Sequence, residues 1–441
     1  MDQSLRYEKD RDEPQIDTLM DFSDSMGILR AAEKCNGSGD CRKPQFAGGT
    51  MCPSYRATKD EKDSTRARAN ALREFLTRSD QSNPFDREEL KRAFDLCLSC
   101  KACASECPSN VDVAAFKAEF LYQYQKENGI SFRTKMFAEN AKWNQLGSLF
   151  PGLTNTLMNT RLSKQIMGIA PERKIPALSG VPLDRWLKKQ ASLKKEQNNQ
   201  NGQVYLFVDE FSNFYETEIG KDCISLFSKL GYEVLTVDHV ESGRSYISKG
   251  LLDQAKKIAD KNVSIFKDLL SEDTPMIGIE PSAILTFRDE YLRLADDREA
   301  ALEIAKHVYT TEEFVNLQVK KGRISSKQFT DKRKQIKIHG HCQQKSLSNI
   351  ESTFKMLNLP VNYEVSIMNT GCCGMAGSFG YEKEHYEISM KVGEASLFPK
   401  IRKAGTHIEI SAAGTSCRHQ ILDGTRRKSQ HPISLLAEAL K

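Results

Sequence analysis

No run of about 18 apolar residues occurs anywhere in this 441-residue sequence, which excludes a membrane-spanning helix. The opening residues, MDQSLRYEKDRDEPQ, are charged and lack the apolar centre of a signal peptide, so a cytoplasmic protein is expected. Charge of one sign is scarce as well. The formal net charge is only +5, with no Lys/Arg stripe interleaved with aromatics, which argues against nucleic acid as a partner. A G-x-G-x-x-G fingerprint is missing, and with it the usual sign of a dinucleotide or flavin cradle. Apolar residues make up 39% and charged residues 28%, enough to build the cores of two or three domains.

Cysteine, in contrast, is abundant. Of twelve, seven lie between Cys35 and Cys107 and four between Cys342 and Cys417, with Cys223 alone between the groups. A reducing cytoplasm disfavours a disulfide framework, so clustered thiols read first as metal ligands. Cys223, in KDCISLFSKL, falls on the apolar face of a helix and reads as core.

The chain divides by pattern. Residues up to about 186 read as helical, with helices over 57–78, 86–98 and 111–127. Residues 187–202 are polar and read as a linker. Beyond it, short apolar strands alternate with helices, the signature of parallel α/β structure. Strands are expected at 204–209, 232–238 and 275–281, and again at 335–342, 361–371 and 406–414. Three landmarks recur in order: VDEF (208–211) against IHGHC (338–342), ESGR (241–244) against GCCG (371–374), and EPSA (280–283) against GTSC (414–417). The fold class is therefore α + α/β. A 1–30 extension precedes a helical domain at 31–186, and duplicated lobes at 203–330 and 331–441 follow the linker.

Residues 97–108, CLSCKACASECP, spell C-x2-C-x2-C-x3-C-P. In two-cluster ferredoxin-type domains the first three such thiolates hold one cluster and the fourth crosses to the other. The pattern demands a second run, and CNGSGDCRK followed by MCP supplies it, with Ser38 where a middle cysteine would stand. One [4Fe–4S] cluster then takes Cys97, Cys100, Cys103 and Cys52, and the other takes Cys35, Cys41 and Cys107. The second set is one thiolate short. It suits a [3Fe–4S] cluster, or a [4Fe–4S] cluster completed by Ser38, another oxygen ligand or water. Zinc also takes four cysteines, but its sites usually present two separated CxxC knuckles rather than paired Cys-Pro runs.

HGHCQQK (339–345), GCCG (371–374) and SCRHQ (416–420) each follow a predicted strand end. Ligands in open α/β sheets gather there, so Cys342, Cys372, Cys373 and Cys417 are expected to converge. A third cluster or a redox-active thiol pair fits such a site, and small buried cysteines in tight turns are the bland alternative. His339, His341 and His419 lie near enough to protonate a bound group or tune a cluster. The catalytic candidates are Cys372, Cys373 and His341.

These segments, with AAEKCNGSGDCRK (31–43) and MCPSYRATKDEKDSTRARAN (51–70), resemble the iron–sulfur portion of FAD-linked oxidases of the D-lactate and D-2-hydroxyglutarate dehydrogenase type. Their CCG domains are shared with heterodisulfide reductase and with a subunit of anaerobic glycerol-3-phosphate dehydrogenase. The resemblance implies an oxidoreductase component that relays electrons from a flavin to a quinone or soluble acceptor. FAD would reside only on a partner subunit or an additional domain. It leaves room for peripheral contact with the cytoplasmic membrane face, and for a catalytic CCG site as in heterodisulfide reductase. The chain departs from the family pattern in two places: Cys417 is followed three residues later by Gln420 instead of cysteine, and the first lobe carries no CCG cysteines.

Overall fold

The computed structural model describes residues 14–45, 47–79, 82–191 and 200–441. The front part is helical: α1 (Ile28–Glu33), α2 (Pro53–Thr58), α3 (Thr65–Arg78), α4 (Glu88–Asp95), α5 (Ala102–Glu106) and α6 (Val113–Asn128). Ser64 and Asp112 start α3 and α6 by accepting backbone N–H bonds from Ala67 and from Ala114 and Ala115, groups the helix leaves unpaired. The helix expected over 57–78 is broken, because Lys59 turns left-handed at φ 61° to close α2. Four short helices follow: α7 (Phe132–Ala138), α8 (Asn140–Gly147), α9 (Pro151–Met158) and α10 (Arg161–Ile166). Then α11 (Leu183–Ala191) occupies the start of the expected linker. Most of that linker, 192–199, and the first part of the expected N-terminal extension lie outside the described residues.

Two all-parallel sheets make up the rest. The first has strands β1 (Gly202–Phe207), β2 (Tyr232–Leu235), β3 (Met276–Gly278) and β4 (Val308–Thr310), in the order β2-β1-β3-β4. The second has β5 (Lys334–His339), β6 (Tyr363–Ile367) and β7 (Glu409–Ala412), in the order β6-β5-β7. The six expected strands all form, β1 two residues earlier at the expected length and the other five shorter, and share one centre-first order; β4 is additional.

Two cores bind these parts together. Phe94, Phe116 and Phe120 of the helical part share a buried cluster with Phe207, Phe266 and Phe287 of the first sheet unit. A second cluster joins Leu206 and Ile277 of the first sheet to Ile336 and Ile338 of the other. Each such side chain removed from water contributes about 1.5–3 kcal/mol. Cys223 lies in the second cluster, fully buried, as its helix face predicted.

Candidate metal centres

Cys52, Cys97, Cys100 and Cys103 line one small pocket, together with Ser54, Thr65, Arg68 and Lys101. Local structure explains the convergence. Ser99 and Lys101, between the cysteines, are left-handed at φ 48° and 59°, and this winds residues 97–103 into a tight loop. Lys101 is held there with its ammonium buried, paired with Asp112 at 3.6 Å, Glu290 at 3.2 Å and Asp289. Cys52 stands just before Pro53, which opens α2. The loop ahead of it is fixed from two sides. Glu106 accepts the N–H of Thr50 at 2.6 Å and of Met51 at 3.1 Å, and Arg56 donates to the carbonyls of Ala47, Gly48 and Met51.

The donor chemistry fits an iron–sulfur cluster. Burial, then the neighbouring Cys342, Cys103 and Cys52, pushes the Cys100 thiol well up, and burial with Asp112, Cys97 and Cys52 does the same to Cys103. Several buried sulfurs that oppose each other's ionisation form a set that a cationic iron centre would stabilise as thiolates. Hydrogen bonds to sulfur are in place as well. Arg68, fully buried, donates Nη1 to Cys52 Sγ at 3.4 Å, and Thr65 Oγ1 lies 3.7 Å from the same sulfur.

The other ferredoxin-type set is more open. Cys41 is buried, while Cys35 and Cys107 are half-buried, and all three pack on the same core as Cys52 and Cys103. Burial, with the sulfurs of Cys52 and Cys35, raises the Cys41 thiol against hydrogen bonds from Arg66 N–H and Ser64. Ser38 sits exposed in its loop, its N–H turned onto Asn36 Oδ1 at 3.0 Å.

The second cysteine group converges beyond the strand ends. Cys342, Cys372, Cys373 and Cys417 are all buried. Cys373 is lowered well below an ordinary thiol, held by hydrogen bonds from Cys372 and Cys417 against burial and helped by His339. One ring nitrogen of His339 and the sulfurs of Cys373 and Cys417 lie within 4.8 Å of one another. His339 Nδ1 meets Thr370 Oγ1 at 2.7 Å, and the buried imidazole, whose protonation burial disfavours against a hydrogen bond to Cys373, stands beside the two sulfurs as a candidate metal ligand. Gly374, at φ 95°, cannot carry a side chain: a Cβ there would lie 2.2 Å from Ser389 O. His341 turns to Glu280, its Nε2 3.9 Å from Oε1, and His419 meets the Tyr381 hydroxyl at 3.2 Å.

The two cysteine groups touch. Leu98, Cys342, Cys372, Phe379 and Val392 form one apolar cluster against which Cys100 packs. Ser346 Oγ, one turn after Cys342, donates to Cys100 O at 3.4 Å.

In the first sheet unit, other residues hold the equivalent places. Counted from the ladder residues Tyr232 and Tyr363, Gly243 pairs with Gly374, and both are left-handed. This shifts the sequence pairing by one, so Glu241 and Ser242 correspond to Cys372 and Cys373. Glu210 corresponds to Cys342, and its carboxylate accepts from Ser242 N at 3.0 Å and Oγ at 2.6 Å. Ala283 stands for Cys417, as the sequence landmarks indicated. Three residues escaped the sequence reading as functional groups: Arg68, Lys101 and, as a ligand, His339. Only His339 left a signal, its place in HGHC.

This geometry and donor set define an iron–sulfur protein with ferredoxin-type cysteines in its helical part. Residues 34–112 match the family described as "4Fe-4S dicluster domain". Across 99% of its length the chain is 25% identical to D-2-hydroxyglutarate dehydrogenase of Haemophilus influenzae, covering 46% of that protein. It is likewise 25% identical to the Escherichia coli K12 protein of the same name over 93% of this chain and 44% of that one. The anaerobic glycerol-3-phosphate dehydrogenase of E. coli K12 has a subunit that is 25% identical over 70% of this chain and 78% of its own length. The chain thus spans less than half the length of the D-2-hydroxyglutarate dehydrogenases it matches. No solved structure matches it.

Proposed function

We propose that this chain is the electron relay of an FAD-linked 2-hydroxy acid dehydrogenase. The contact between Cys100 and the Cys342/Cys372 pair carries the reading, because it places two thiol-rich sites side by side across an apolar seam. In this reading residues 31–186 are the ferredoxin-type domain, and 203–330 and 331–441 are duplicated lobes, the first stripped of its cysteines. Cys52, Cys97, Cys100 and Cys103 would hold one [4Fe–4S] cluster. Cys35, Cys41 and Cys107, with Ser38 or water, would hold a second cluster of [3Fe–4S] or [4Fe–4S] type. Cys342, Cys372, Cys373 and Cys417, with His339, would hold a third. Such clusters supply one-electron steps at potentials set by charge, burial and hydrogen bonds to sulfur. The protein's part is to fix the thiols, exclude water and supply the cations Arg68 and Lys101.

The names of the relatives favour D-2-hydroxyglutarate over D-lactate as the partner's substrate. FAD belongs to that partner or to a further domain. Quinone or a soluble carrier takes the electrons, and the reducing cytoplasm suits twelve free cysteines. The test is an anaerobic mixture of the purified chain with a D-2-hydroxyglutarate-oxidising flavoprotein, followed by EPR. D-2-hydroxyglutarate is expected to produce reduced-cluster signals only when the flavoprotein is present. Signals unmoved by D-2-hydroxyglutarate, D-lactate and glycerol 3-phosphate alike would refute the relay. A second reading, thiol–disulfide chemistry at Cys372 and Cys373, is favoured by the lowered Cys373 thiol. It requires an added disulfide to change the signal without a flavoprotein.

A further inference from the structure

The helix that carries Cys417, Thr415–Thr425, begins without a cap of its own. Its N-cap position is Gly414, which has no side chain to accept the first backbone N–H groups. Only glycine fits there, because a Cβ would lie 2.3 Å from Cδ2 of His341. The cap comes instead from the first sheet unit. Glu280, the residue that the duplicated landmarks set against Gly414, is buried at 4% exposure. One oxygen of its carboxylate accepts Ser282 N at 3.3 Å and Ser282 Oγ at 2.8 Å, which caps its own helix, Pro281–Ile284. The other oxygen accepts Thr415 N at 2.8 Å. A single carboxylate thus starts both copies of the duplicated turn.

A second carboxylate of the same unit closes on that turn. Glu216 accepts from Thr415 Oγ1 and from Arg418, whose Nε lies at 3.0 Å. Arg418 is itself buried and donates Nη1 to the carbonyls of Ala412 and Ala413, both at 2.7 Å, at the end of β7. Against burial, Arg418 and Thr415 hold the Glu216 carboxyl below the usual carboxylate range, so the pair is charged. The strand end and the first helical turn that deliver Cys417 are therefore both fastened to the first unit.

We propose that the first sheet unit, which carries no CCG cysteines of its own, is the positioning shell of the second cysteine group, with Glu280 holding Cys417 in place and setting the negative charge beside it. The positioning stands on this geometry alone. Its effect on a redox potential rests on the relay reading. A buried carboxylate is poorly screened, and its charge opposes the arrival of an electron at the neighbouring centre.

The test compares anaerobically purified full-length wild type with Glu280→Gln, by EPR-monitored titration and by amide hydrogen exchange of the peptide that carries residues 415–417. Glutamine keeps the length of the side chain, but its amide nitrogen cannot accept, so one of the two turns loses its cap. The third cluster is identified as the signal that Cys373→Ala removes. Its midpoint potential is expected to rise by at least about 60 mV, a tenfold change in the one-electron equilibrium. The signal that Cys52→Ala removes should keep its potential. Exchange at 415–417 should quicken at least about tenfold, the equivalent of one lost hydrogen bond. Should Glu280→Gln fail to fold, Glu216→Gln, at a half-buried position, carries the same two expectations. Unchanged exchange overturns the proposal, and so does an unmoved potential where the Cys373-dependent signal is present. If Cys373→Ala removes no signal, the third cluster of the relay fails, and faster exchange in Glu280→Gln would still uphold the positioning of Cys417.

Discussion

Arg68 buries a guanidinium beside a largely apolar core, and its partners show why it can stay charged. It donates to Cys52 Sγ, to Ser54 Oγ at 3.0 Å and to Ala93 O at 2.8 Å, with Asp63 at 3.7 Å. Burial opposes its charge, but the sulfurs of Cys97 and Cys52, then Asp63, hold the guanidinium up. A fixed cation on a ligating sulfur favours the more negative, reduced cluster. Arg68→Met is therefore expected to lower that centre's midpoint potential by about 60 mV, the one-electron equivalent of ~1.4 kcal/mol, in an EPR-monitored titration. Arg68→Lys should recover most of the shift, and an unchanged potential in both variants would reduce Arg68 to packing. The thiols themselves were legible in the sequence because their spacing is local, within a loop of a few residues. Arg68 was not, since it reaches Cys52 across sixteen residues from the first turn of an ordinary-looking helix.

At the scale of the element, the first sheet unit keeps the turn geometry of the second and has Glu210, Glu241, Ser242 and Ala283 in place of its four cysteines. Asp209 caps the helix after β1 by accepting from Phe211 N and Ser212 N, both at 2.9 Å. Burial, with Glu210 and then Glu280, pushes its carboxyl up to about 7. The folded-state value lies above the unfolded one, so its contribution is whole below about pH 4 and is lost as pH rises through about 7, a swing of a few kcal/mol. Asp209→Asn keeps the cap and removes the titration. The variant should be less destabilised than wild type between pH 5 and pH 8 in thermal unfolding, and parallel losses in the two proteins would contradict this. The strand pattern was legible because β1 and β3 carry short apolar runs between turn residues and β5 alternates Ile336 and Ile338 with polar side chains. Strand β4, only Val308–Thr310 between two helices, was not, because three residues are too few to show a period. The register of the duplicated turns was off by one because Gly243 and Gly374, not the cysteines, are the residues the backbone holds in common.

For the molecule as a whole, the helical part is not an appendage. It shares a core with the first sheet, which shares a second core with the other, and Cys100 meets Cys342 at the seam. His385 clamps the same seam, its Nε2 3.1 Å from Asp95 of α4 and its Nδ1 3.2 Å from Glu382. The sequence announced both cysteine groups and the repeated strand order, but their adjacency depends on packing between residues hundreds of positions apart. The account stands on Cys52 joining Cys97, Cys100 and Cys103 around one cluster. Iron and acid-labile sulfide, measured on anaerobically purified wild type and Cys52→Ala, test it most directly. Brown wild-type protein with at least about seven or eight irons is predicted, and Cys52→Ala should lose about four of them with matching sulfide. Colourless protein containing zinc, or a Cys52→Ala variant with its iron intact, would contradict it.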